Sequence, residues 1–161
     1  MLSESLQKLM EIHRSWKENH PAGFSANPLL MDENKYDFYN WVCHIPGAKD
    51  SPWEGGLYRL LMFFPENYPN TPPRCTFVPP LFHPNIHASG VVQWSFLDCS
   101  KQWVPSMKIG DILVGLQQLL AEPCLDEAVH NEAYTVLCTD PNAYDFIIQQ
   151  LAKKFKPVTK A

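Results

Sequence analysis

The chain has 161 residues, 45% of them hydrophobic and 19% charged, which suits one globular domain with a real core and excludes a disordered chain. Thirteen Lys and Arg against 17 Asp and Glu leave a net charge of −4, the wrong sign for a general nucleic-acid binder. No run approaches the roughly 20 apolar residues of a membrane helix. The acidic start Met1-Leu2-Ser3-Glu4 is unlike a secretory leader, so an intracellular protein is expected, in the nucleus, the cytoplasm or both; a monomer is expected as well.

Leu2, Leu6, Leu9, His13 and Trp16 recur at three- and four-residue steps, which predicts a helix over 2–16 with Ser3 or Ser5 as its cap. Pro21 and Gly23 end that pattern. Residues 36–45 and 57–64 are dense in aromatic and aliphatic side chains and read as central strands. The Pro-, Gly- and Asp-rich segment 45–56 reads as the hairpin connection between them. A shorter strand is expected at 74–78. Nine of the 15 prolines fall between 46 and 84, which leaves room for short strands and turns but for no long helix. The helical period returns in Ile109, Ile112, Leu113, Leu116, Leu119 and Leu120, then at about 131–139, and finally behind Asp140-Pro141 through Phe155. The order describes an α+β domain spanning the chain.

Cys43, Cys75, Cys99, Cys124 and Cys138 form no CxxC pair and do not alternate with the histidines. No metal site and no cofactor are expected, and each cysteine reads as a small buried apolar residue in a reducing compartment. The stretch 79–105 lacks any period yet holds Pro, His, Asn, Gly and Trp at close spacing. A loop of that length inside a compact domain is usually functional.

Phe82-His83-Pro84-Asn85 resembles the His-Pro-Asn motif of ubiquitin-conjugating enzymes. Tyr68-Pro69, Pro72-Pro73, Trp103-x-Pro105 and Glu122-Pro123 follow that family's order and spacing. Pro46–Gly56, Leu97–Trp103, His20–Phe24, Asn40-Trp41 and Glu132-Ala133-Tyr134 are similar to the SUMO-conjugating branch of the family. The resemblance runs from about residue 2 to 157 and implies an N-terminal helix, a four-stranded antiparallel meander, an active-site loop and three C-terminal helices. It also implies a carrier that holds a ubiquitin-like protein as a thioester and passes it to a lysine, which needs an accessible thiolate and an oxyanion donor.

The family's cysteine lies eight residues after the motif's asparagine, and that position here is Gln93. An amide forms no thioester. Asn85 carries over as the oxyanion donor and motif stabiliser, and the loop-bracing role alone would explain an asparagine there. His87 stands where the family has tyrosine, Glu127 where it has the aspartate beside the acceptor lysine, Ala128 for a proline, Thr76 for a basic residue and Trp94 for a small aliphatic one. Arg74, Ser89, Lys101 and Tyr134 carry over as groove residues. The implied function is that of an inactive relative which binds modifier or pathway partners non-covalently. One alternative is transfer through a relocated thiol, Cys99 or Cys124; another is a working enzyme disabled by replacement at position 93. The implied partners are SUMO or a related modifier, the SUMO-activating enzyme, SUMO ligases and lysine-bearing substrates. His13, Arg14, Lys17 and His20 are expected to share a solvent-facing sector of the first helix and to bind the modifier on that backside, although Glu18 reverses one charge.

Overall fold

The structure, a computed structural model, describes residues 2–98 and 100–157. Helix α1 spans Glu4–Glu18. Ser3 is its cap, accepting the Leu6 N–H at 3.2 Å, while Ser5 turns inward and bonds the Tyr39 hydroxyl at 2.8 Å. Strands β1 (Ser25–Asp32), β2 (Lys35–Pro46), β3 (Leu57–Phe63) and β4 (Arg74–Phe77) form one antiparallel sheet in chain order. Residue patterning places the last three of these within a few residues. β1 is not visible in the pattern, because Ser-Ala-Asn-Pro opens it and Pro28 interrupts its alternation; the register shifts directly after that proline.

One face of the sheet makes the core. Trp41, Cys43 and Ile45 of β2 lie beside Tyr58, Leu60 and Met62 of β3 and Cys75 and Phe77 of β4, all nearly inaccessible. Burying side chains of this size contributes about 1.5–3 kcal/mol each. The opposite face shows Leu61 and Phe63 to solvent, so the two-sided apolar pattern corresponds to one covered face and one open face. Helices α1 and α2 (Ile109–Ala121) both pack on β2, and the stripe Ile109, Ile112, Leu113, Leu116, Leu119, Leu120 is the buried side of α2. The β2–β3 connection is closed by the Gly47 N–H to the Gly56 carbonyl at 3.0 Å.

Helix α3 (Asn131–Thr139) leads into α4 (Pro141–Lys154), whose cap is Asp140 with Pro141 in the first turn, as the sequence indicates. Between β4 and α2 the chain runs through two isolated bridges, Thr76 with Val91 and Ile86 with Val92, and a 3₁₀ turn at Ser95–Leu97. No helix among the described residues is long and apolar enough to cross a membrane.

Candidate functional site

The His-Pro-Asn segment is a buried hydrogen-bonded brace. His83 is inaccessible, its Nε2–H donating to the Leu119 carbonyl at 2.7 Å and its Nδ1 accepting the Asn85 N–H at 3.0 Å. Burial holds this imidazole neutral, down at about 4, against a smaller opposing pull from the backbone bonds to Leu119 and Leu120. Asn85 is also inaccessible. Its amide donates to the carbonyls of Cys124 (2.7 Å) and Glu127 (3.1 Å), and its Oδ1 accepts the Cys124 N–H at 2.8 Å. Both amide hydrogens are thus engaged. The loop brace is the role this geometry displays.

The Asn85 carbonyl accepts the Gln93 N–H at 2.7 Å, which fixes the half-buried Gln93 just beyond the brace. Ahead of it, the turn through half-buried His87 and exposed Ser89 closes at Gly90, with a Gly90 N–H to His87 carbonyl bond of 2.8 Å. Gly90 has φ +97°, and a Cβ there would lie 2.2 Å from the Phe77 carbonyl oxygen, so the turn needs glycine on both counts.

Gln93 lines a cleft of about 330 Å³ together with Pro73, Arg74, Cys75, Trp94 and Asp98. That volume sits at the low end of ligand sites, with room for a side chain. Asp98 is held below the ordinary carboxylate range by the Ser100 hydroxyl and then its N–H. A second cleft of about 480 Å³ lies toward α2, lined by Trp94, Phe96, Met107, Gly115, Leu119 and Cys124 among others.

Glu127 does not project freely. Its carboxylate accepts the Ser95 N–H at 3.1 Å and the Ser95 hydroxyl, and Lys101 Nζ stands 3.6 Å away. The half-exposed Lys101 pair is worth at most about 1 kcal/mol, whereas hydrogen bonds to a mostly buried carboxylate are stronger. Sequence reasoning singled out Glu127 and Lys101 and missed Ser95. Nothing local signals Ser95, since its partner stands 32 positions away. Tyr134 is exposed on α3, and its N–H donates to the His130 carbonyl.

The model of the family described as "Ubiquitin-conjugating enzyme" matches residues 6–152. The chain belongs to the ubiquitin-conjugating enzyme family. It is 43% identical over 148 residues to the SUMO-conjugating enzyme UBC9 of Caenorhabditis elegans, covering 92% of this chain and 89% of that protein. It is 37% identical to the SUMO-conjugating enzyme SCE1 of Arabidopsis thaliana over 92% of each chain, and 36% identical to the Sumo-conjugating enzyme ubc9 of Dictyostelium discoideum over 98% and 99%. Within the ubiquitin-conjugating family the chain is therefore SUMO-conjugating-enzyme-like, and its α+β architecture is that family's fold.

The cysteines of this family member divide by environment. Cys43 and Cys75 are buried in the sheet core, as expected, and burial raises both thiols, Cys43 to about 12. Cys138 departs from the buried reading, because it lies on the exposed side of α3, and Cys124 is half-buried. Cys124 lines the α2 cleft, which shares Trp94 with the cleft that Gln93 lines. The other candidate thiol, Cys99, lies outside the described residues.

The basic surface of α1 is smaller than the sequence suggests. His13 does not face solvent: it is 7% exposed, with its ring edge-on to Tyr36, Phe38 and Trp41 at 5.4–5.8 Å. Helix geometry puts residue 13 on the same face as Leu9 and Trp16, and that apolar face is the one packed on the sheet. Burial and then Lys17 lower its pKa, which favours the neutral ring. Arg14, Lys17 and His20 remain exposed; the His20 ring stacks on Trp16 at 4.9 Å and donates to the Trp16 carbonyl.

Proposed function

We propose that this ubiquitin-conjugating family member serves a SUMO or related modifier pathway by non-covalent binding of modifier or pathway partners, without carrying the modifier as a thioester. The observation that carries this reading is Gln93, eight residues after Asn85, where family resemblance puts the nucleophile. A carboxamide has no thiol to acylate, and its nitrogen is a very poor nucleophile. The hydrogen-bonded state of Asn85 accords with this reading without deciding it, because a side chain bracing Cys124 and Glu127 serves the loop whether or not chemistry occurs beside it. The names of the relatives point to SUMO as modifier, and a SUMO-activating enzyme, ligases and substrate proteins are the partners this proposal adds.

The deciding experiment is a charging assay. The chain is mixed with SUMO-activating enzyme, ATP and SUMO beside an active conjugating enzyme, and gels are run with and without reductant. The expected result is an adduct on the control and none on this chain. A reductant-sensitive adduct that disappears in Cys99→Ser or Cys124→Ser overturns the reading and assigns a relocated thiol.

A further inference from the structure

A transfer reaction brings two groups to one atom, the tail being carried and the amine that takes it, and each needs its own approach. Two clefts flank the segment at residue 93, and Trp94 lines both. Gln93 lines only the cleft on the Arg74 side, and Cys124 lines only the cleft on the α2 side. The ring between them has a fitted seat. A Cβ added at Gly115 would sit 2.5 Å from Trp94 Cη2 and 3.0 Å from Cζ2, so the indole rests against α2 where a side chain is missing. Mid-helix glycine is less favourable than alanine, yet here its bare backbone admits the ring. Phe96 backs the indole at a centroid distance of 5.0 Å. The next residue is held as well, since Glu127 accepts both the N–H and the hydroxyl of Ser95.

We propose that Trp94, seated on Gly115, is a built-in plug that cuts position 93 off from the α2 cleft. It closes that approach to an extended peptide and leaves the Arg74 side open to small groups. The plug rests on the reading of position 93 given under Proposed function, to which it adds a steric barrier beside the missing thiol.

The test uses Gln93→Cys to place a reporter thiol at position 93. Its alkylation, read at that residue by mass spectrometry, is timed with iodoacetamide and with a maleimide at the end of a short extended peptide. The ratio of the two rates removes any change in thiol reactivity common to both probes. Adding Trp94→Leu is expected to raise the peptide-to-iodoacetamide ratio roughly tenfold, as removal of a steric block should. Adding Gly115→Ala instead keeps the tryptophan but displaces its ring, and the ratio should move the same way. A ratio unchanged by both substitutions, in variants that still unfold cooperatively, overturns the plug. Charging of the unaltered chain decides the reading of position 93 alone, and the probe ratio decides the plug alone, so the two can fail separately.

Discussion

His83 and Asn85 are polar side chains with no solvent access, and each is tolerated because every ring nitrogen or amide atom has a partner. For His83 this fixes the protonation state. Its Nδ1 already accepts the Asn85 N–H, so a second ring proton would point at another donor. The folded ring therefore resists protonation down to about 4, whereas the unfolded ring titrates at its ordinary 6.5. Below that value the unfolded chain binds the proton first, so the stability this group provides is complete above pH 6.5 and is lost as pH falls toward 4. The slope is about 1.4 kcal/mol per pH unit within that window, with a total on the order of 3 kcal/mol. Lowered values at His13 and His44 act in the same direction. Urea midpoints measured from pH 7 to 4.5 should decline steadily below 6.5. A flat profile would show that the imidazole accepts its proton in place. The residues His83 and Asn85 were legible in the sequence as a motif, but their partners Leu119, Cys124 and Glu127 were not, because each lies more than 30 positions away.

Elements differ in how openly the sequence declares them. The helices repeat apolar residues at the helical period, and Asp140-Pro141 marks a start, so all four could be read, α1, α2 and α4 with their buried faces, whereas α3 buries only Ala133. The 3₁₀ turn at Ser95–Leu97 has no period and no cap of its own. What holds it is Glu127, arriving from the turn at Leu125–Glu127, which Asn85 in turn holds by its backbone. A turn pinned from outside should loosen when the pin is removed while the rest of the domain stays intact. Glu127→Ala is therefore expected to speed amide exchange at Ser95 by about tenfold or more, the equivalent of one charge-assisted bond of at least about 1.4 kcal/mol. Amides in the middle of α2 should keep their protection, as their bonds do not involve Glu127. Equal loss of protection in both places would mean that Glu127 supports the whole domain; no change at Ser95 would mean that the contact contributes nothing.

At the scale of the molecule, charge is unevenly placed, and that bears on which partner can bind. The chain carries a net −4, yet Arg14, Lys17 and His20 stand exposed along α1 and just beyond it. The sequence reading grouped His13 with them by charge, although its place in the stripe with Leu9 and Trp16 already put it on the packed face. With His13 inside the fold, a backside contact must rest on Arg14 and Lys17, with His20 oriented by Trp16. Pairs between exposed charges are weak one by one and screened by salt. A partner held there must be acidic, and its affinity must fall as ionic strength rises. If SUMO binds this surface, titration calorimetry in increasing salt should show that decline. Arg14→Glu combined with Lys17→Glu should weaken binding by roughly tenfold at low salt, since each reversed charge costs on the order of a kcal/mol or less in a solvated pair. The same double variant should also lose or invert the salt dependence, because the attraction that salt screens has become a repulsion. Affinity that ignores salt, or that survives both reversals, would move the non-covalent contact off α1.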